Sequence, residues 1–261
     1  MDNKNKLYER YTSTSSLAAT EDVEKALRWS KSYFRSNYLN LLTNDKNAKI
    51  LEVGCGYGRY LAALAEMGYT NCSGIDLSPE QIAYAKTELK LCNVEEANAL
   101  EWLNGKEANF DCIICLDVLE HLSNNDLLSL GEMIHKALRP GGTVIFQVPN
   151  GMSPLNPIIY GDLTHVRAFT PQSMQQFLLH VGLIPSGYFE IPPYVHNIKS
   201  ALQKLLWVGV IRPIISLIVR SIHGKVMGGH IYTSNFIAVA KVKIIEAKRM
   251  EPVSMYSGVN A

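Results

Sequence analysis

The chain has almost no net charge: 25 Lys and Arg stand against 24 Asp and Glu, leaving +1 at neutral pH. That balance excludes the basic footprint of a nucleic-acid binder. Residues 1–20 are polar and lack an apolar core, so no secretory signal is expected there. Cysteine is scarce and odd in number, at positions 55, 72, 92, 112 and 115. Cys112 and Cys115 form a C-x-x-C by letter only. They fall in the strand-like run FDCIICLD, and no second Cys or His pair stands at zinc spacing. Buried, reduced thiols of a cytoplasmic protein are the expectation. No internal repeat is evident. Acidic residues are missing altogether from 191–245, which holds seven Lys or Arg.

That acid-free stretch contains the most apolar run, Leu205 to Ile222, cut by Arg212, Pro213 and Arg220. A spanning helix needs about 20 apolar residues with few charges, so the run makes a poor transmembrane candidate. After Pro213, polar groups recur at Ser216, Arg220 and His223 on a helix otherwise built of Ile, Leu and Val. A helix lying in a membrane interface fits this pattern. A cap packed on the domain or on a second subunit fits it equally.

What the chain does have is 47% hydrophobic residues over 261 positions, enough for one large α/β domain. Strand patterns fall at 49–53, 72–76, 94–97, 110–116, 143–148, 183–190 and 235–243. Helical patterns fall at 21–42, 59–67, 79–90, 126–138 and 171–181. This rhythm predicts a doubly wound, mostly parallel seven-stranded sheet with helices on both faces. Ser78, Pro79 and Gln81 read as an N-cap, a first-turn proline and a capping-box partner. Trp29, Tyr33, Phe34 and Tyr38 fall at helical spacing and are expected to pack. The domains expected are an N-terminal lid and helix over 1–48, a core over 49–190 and a basic apolar helical insertion over 191–234. A last core strand over 235–245 and a tail over 246–261 complete the chain.

The run Lys49-Ile-Leu-Glu-Val-Gly-Cys-Gly-Tyr-Gly58 is the most informative. A short apolar strand, a glycine-rich turn and an immediate helix make an elbow for an anion or a nucleoside. The dinucleotide form needs G-x-G-x-x-G, but Arg59 stands where its third glycine belongs. Glu52, two positions before Gly54, repels pyrophosphate and suits a cofactor carrying positive charge. Asp76 lies 22 residues beyond Gly54 at a strand's carboxyl end, where a carboxylate can take both hydroxyls of a ribose. A carboxylate serving the next helix's N-terminus is the alternative.

EVGCGYG, GIDLS, Asn98-Ala99, FDCIICLDVLEHL and RPGG follow in order over residues 49–150. Together they resemble the class I S-adenosylmethionine-dependent methyltransferases, a Rossmann-like fold. The resemblance implies S-adenosyl-L-methionine as cofactor. It places Glu52, Gly54, Cys55, Gly56 and Gly58 around the amino-acid end, and Asp76 with Leu77 at ribose and adenine. Asn98 and Ala99 would meet the adenine amino group, where the family often has Asp. Leu116 and Asp117 would flank the methionine portion. A nicotinamide-dependent Rossmann oxidoreductase and a non-catalytic cofactor-binding module are the other classes weighed.

Asp162, His165 and Arg167 cluster in the loop Gly161-Asp-Leu-Thr-His-Val-Arg-Ala-Phe-Thr-Pro171. Thr170 and Pro171 read as the next helix's cap and first turn. The segment resembles ubiquinone-biosynthesis-type and bacterial surface-glycan methyltransferases, where this loop contributes to the acceptor site. His165 is the expected general base and Asp162 its orienting partner. His121, in Asp117-Val-Leu-Glu-His121, is expected with Glu120 to face the acceptor pocket or cap the next helix. In ubiquinone-type enzymes a comparable run is linked to a divalent ion, but Glu-His is common across the superfamily and no metal set is assigned. Tyr8 and Tyr11 could fold over the cofactor as a lid. The expected reaction is O-methylation of a sugar hydroxyl in a surface glycan or its lipid-linked precursor. A quinol or catechol is the second choice, and C- or N-methylation of a small metabolite the third. The expected setting is cytoplasmic, peripheral on the inner membrane face through 199–225, with homodimerisation as a further option.

Overall fold

The structure is a computed structural model and describes residues 23–154, 156–224 and 231–244. Helix α1 (Val23–Tyr38) leads into β1 (Ile50–Val53), α2 (Arg59–Glu66), β2 (Cys72–Asp76), α3 (Pro79–Thr87) and β3 (Val94–Glu96). After the one-turn α4 (Ala99–Trp102) come β4 (Phe110–Leu116), α5 (Asn124–Ala137) and β5 (Leu138–Pro149). The short α6 (Ile158–Gly161), α7 (Pro171–His180) and β6 (Ile184–Glu190) follow, then α8 (Ile198–His223) and β7 (Asn235–Lys241). The calls on Tyr8, Tyr11 and the 246–261 tail lie outside the described residues.

The seven strands form one sheet in the order β3-β2-β1-β4-β5-β7-β6. β7 pairs antiparallel with both β5 and β6, while the other described pairings are parallel. The fold is therefore the expected one, with α8 inserted before the last strand. β1 is buried at all four positions because helices cover both faces of the sheet. Leu51, Ile113 and Phe146 join the core on one side, and Ile50, Ile114 and Ile145 join it on the other. Of the α1 aromatics, Phe34 and Tyr38 pack there, Phe34 stacking on Tyr38 at 4.9 Å and on Tyr60 of α2 at 5.1 Å, whereas Trp29 is exposed and stacks on the half-buried Tyr33.

Two local readings are corrected. The proline and two glycines of Leu138-Arg-Pro-Gly-Gly142 predict a turn, yet β5 begins at Leu138, which pairs with Phe110 before the register shifts to Cys112 and Thr143. Gly141, at φ +79°, accommodates the irregularity that this shift demands. The capping box at Ser78 forms by half. Its Oγ accepts from the Gln81 N–H at 3.4 Å, but the Ser78 N–H donates to Asp76 Oδ1 at 2.8 Å instead of to Gln81.

The chain leaves β1 for β2 on one side and reaches β4 on the other, so the strand order reverses between β1 and β4. Loops after those strands diverge there and open a crevice at their carboxyl ends.

Candidate active site

The elbow after β1 is built as its glycines require. Gly54, Gly56 and Gly58 have φ of +73°, +54° and +80°, the left-handed region open to glycine at little cost. A Cβ on Gly54 would stand 2.3 Å from Val118 Cγ2, so a side chain there would displace the loop after β4. The N–H groups of Gly54 and Cys55 both donate to the Ile75 carbonyl, at 2.8 and 3.0 Å. The turn is thereby tied to the end of β2.

Two carboxylates flank this turn. Asp76 Oδ2 accepts from the Gly56 N–H at 2.7 Å, and its Oδ1 accepts from Ser78. The alternative reading of Asp76 is met: its carboxylate organises the elbow and the start of α3. Glu52 is only 2% exposed, and its Oε2 has no hydrogen-bond partner. Burial pushes its pKa up to about 8, against the pull of Arg59 and aided by Asp76. A buried, unpartnered carboxylate is a vacancy for a cationic or hydrogen-bonding group.

This predicts a pH effect. The unfolded chain ionises Glu52 above 4.5, whereas the folded protein holds the proton to about 8. Stability from this group is full below 4.5 and is lost as pH rises toward 8. Glu52→Gln should therefore be more stable than the parent by about 2 kcal/mol at pH 6 and match it near pH 4.5. Urea unfolding of cofactor-free protein at both pH values measures this, and an unchanged difference between them would mean Glu52 is ionised in the fold.

The remaining cofactor candidates line the same crevice edge. Leu77 is exposed beside Asp76, and Leu116 is buried at the end of β4. Asn98 departs from expectation, because its Oδ1 caps α4 by accepting from the Leu100 N–H at 2.9 Å. Only its second lone pair and its amide remain for an adenine, with Ala99 as the first residue of that turn.

Asp117 is the centre of a network no local pattern announces. Its backbone is left-handed at φ +55°. Its Oδ2 accepts from Gln147 Nε2 at 2.6 Å and its Oδ1 from Asn235 Nδ2 at 3.1 Å. Gln147 Oε1 in turn accepts from Tyr33 at 3.2 Å and from Tyr38. Burial raises the Asp117 pKa, while Gln147 and the Arg59 charge oppose the rise. Arg59, the residue that broke the dinucleotide pattern, lies over the Tyr60 ring and acts on both Glu52 and Asp117.

The loop residues meet the strand-four residues as the second polar cluster. Glu120, His121 and His165 each offer one ligand-type atom within 4.8 Å of the others. His165 Nε2 stands 4.0 Å from Glu120 Oε1, and the two imidazole rings lie 4.6 Å apart. His165 Nδ1 reaches the Ile158 carbonyl at 3.0 Å, and a carbonyl only accepts. Nδ1 therefore carries the proton and Nε2 presents a lone pair to Glu120. The orienting role expected of Asp162 falls to Ile158. Asp162 Oδ1 instead accepts from the N–H and the hydroxyl of Thr164, at 2.8 and 2.6 Å, and Thr164 Oγ1 contacts His121 Nδ1 at 2.8 Å. Asp162 thus orients His121, one residue removed. Nor does the Glu120-His121 pair cap the next helix; Ser123 does, accepting from the Asp126 N–H at 3.1 Å. Thr170 caps α7 as expected, in a capping box with Ser173.

Both oxygens of Glu120 are buried without a hydrogen-bond partner, and burial lifts its pKa well above the usual range. Since Thr164 gives its proton to Asp162, His121 Nδ1 donates to Thr164 Oγ1. The carboxyl of Glu120 and the imidazoles of His121 and His165 are donor types that suit a divalent cation.

Beside Asp117 opens a cavity of about 350 Å³, absent from the sequence reading. Tyr33, Ile158, Ile191, Trp207, Tyr232 and Asn235 are among its walls. Asn235 Oδ1 and Trp207 Nε1 are buried there without a hydrogen-bond partner.

The model of a methyltransferase-domain family matches residues 21–184. The chain belongs to that family. A ubiquinone biosynthesis O-methyltransferase of Hydrogenovibrio crunogenus is 28% identical over 57% of this chain and 67% of its own length. Another, from Thiobacillus denitrificans, is 34% identical over 39% of this chain and 44% of its own length, so such matches span from under half to two thirds of these relatives. Among solved structures, a SAM-dependent methyltransferase of Archaeoglobus fulgidus superposes with a TM-score of 0.60 at 19% identity, covering 90% of this chain and 98% of that one. The methyltransferase is an enzyme whose cofactor is S-adenosyl-L-methionine.

Proposed function

We propose that this methyltransferase moves the methyl group onto a hydroxyl of an aromatic, quinol-like ring. The observation that carries this reading is the aromatic and aliphatic cavity coupled to Asp117 through Asn235. Flat rings stack on Tyr33, Trp207 and Tyr232, while Ser153, Thr233, Ser234 and Asn235 offer partners for the ring's few hydroxyls. The relatives named as ubiquinone O-methyltransferases favour the same choice. The sugar hydroxyl preferred on the sequence has no counterpart among them.

The cofactor presents an electrophilic methyl group on a positively charged sulfur. Gly54, Cys55, Gly56 and Gly58 let the backbone approach its amino-acid end, and Glu52 receives the ammonium. Asp76 takes the ribose hydroxyls, Leu77, Asn98 and Ala99 bound the adenine, and Leu116 with Asp117 flanks the methionine chain. His165 Nε2 accepts the acceptor's hydroxyl proton as the new carbon–oxygen bond forms and the carbon–sulfur bond breaks. Glu120 then faces the imidazolium, and the rate gain comes chiefly from alignment. A divalent ion held by Glu120, His121 and His165 would instead lower the hydroxyl's pKa by direct charge.

Purified protein is to be offered a soluble prenylated catechol and a set of free sugars and glycolipids with S-adenosylmethionine, and methyl ethers detected by mass spectrometry. Transfer to the catechol alone is expected. Transfer to a sugar hydroxyl with none to the ring overturns the assignment.

A further inference from the structure

Helix α8 leaves its apolar side chains uncovered. Its 26 residues run unbroken from Ile198 to His223, through a π-turn at Trp207–Ile211 that accommodates Pro213. Two polar side chains tie the helix to the protein, while Lys199, Gln203, Lys204, Arg220 and His223 are exposed. Ser200 is 3% exposed and closes the cap with Asn197, while Arg212 Nε donates to Glu190 Oε2 at 2.7 Å. Apolar side chains face outward: Ile198, Leu202 and Leu205 in the first half, and Ile214, Leu217 and Ile222 in the second, with Leu217 67% exposed. A helix on a water-facing surface has the opposite arrangement. No other described element covers this face, and residues 191–245 carry seven cationic side chains and no acidic one.

We propose that α8 lies in the interface of an anionic bilayer, seating the cavity walled by Trp207 where a lipid-borne acceptor can enter it. The acceptor clause rests on the quinol reading above; the seating does not. Length and composition alone would also let α8 cross a membrane. However, Arg212 near its middle is held to Glu190, whose other oxygen accepts from the Tyr232 N–H at 2.9 Å. The centre of the helix is thus bound to the body of the protein, so it lies along the surface. A second copy of the chain is the poorer occupant. Two such faces would bring cations together with no acid between them, whereas anionic lipid headgroups supply the missing charge. Trp207 ties this surface to chemistry, since its buried, unpartnered Nε1–H lines the cavity that reaches Asn235 and Asp117.

The test is sedimentation of the full chain with phosphatidylcholine vesicles, with and without phosphatidylglycerol. Protein should pellet with the anionic vesicles, and less so at high salt. L217S/I222S should weaken that partition at least about ten-fold, since each removes a large apolar side chain from lipid. K199E/K204E, on exposed positions, should abolish the preference for phosphatidylglycerol and cover the case in which the first variant misfolds. S-adenosylhomocysteine should stabilise all three proteins equally in a melt, so that failure of the methyltransferase site would register separately. Protein that stays in the supernatant overturns the proposal, as does a dimer by ultracentrifugation that L217S/I222S dissociates.

Discussion

Asp76→Ala is expected to abolish measurable cofactor binding. The carboxylate accepts from the Gly56 N–H at 2.7 Å and the Ser78 N–H at 2.8 Å, and in the proposed function it also takes the ribose hydroxyls. Two hydrogen bonds donated by ribose hydroxyls to a charged carboxylate amount to about 3 kcal/mol or more, a loss of at least about 100-fold in affinity. Alanine also leaves two backbone donors without their acceptor, which should cost the cofactor-free protein about 1–3 kcal/mol. Titration calorimetry with S-adenosylhomocysteine measures the first effect and urea unfolding the second. Asp76→Asn keeps a neutral acceptor and should fall between the two in both experiments. A variant Asp76→Ala that binds within about three-fold of the parent would reduce the carboxylate to a structural group of the elbow.

His165→Ala should have the opposite profile, with cofactor affinity retained and kcat lower by about 10²–10⁴-fold, the range for a lost general base. The Ile158 carbonyl fixes its tautomer, and Nε2 faces Glu120 at 4.0 Å, so the lone pair is already aimed into the polar cluster. The measurement is made after chelator treatment. If the parent then turns over and the variant does not, the imidazole moves a proton. If the parent turns over only with an added divalent ion, His165 is a ligand beside Glu120 and His121, and the base assignment falls. A near-normal rate in His165→Ala overturns both roles.

Parts of this site were legible because they are local. Glu52, Gly54, Gly56 and Asp76 occupy strand ends and a single turn, where the strand–turn–helix pattern dictates the backbone and the glycine conformations follow. Asn98 carries a local duty as well, since a residue placed before a short helix gives its carbonyl oxygen to the helix's own N–H. The Asp117 network was illegible for a different reason. Gln147, Asn235 and Tyr33 come from β5, β7 and α1, separated by many tens of residues, and only the β5–β7 pairing with α1 packed across it brings them together.

From residues alone followed the succession of strands and helices and a glycine elbow flanked by Glu52 and Asp76, because backbone periodicity and turn chemistry act over a few neighbours; the cofactor class came with the resemblance those motifs carry. Packing at long range assigned the rest. It gave Asp162 to Thr164 and thereby to His121, left the two oxygens of Glu120 without partners, and opened the cavity beside Asp117. It also set which face of α8 looks outward: a pattern reveals that a helix has two faces, but only the body it rests against selects the one left for lipid.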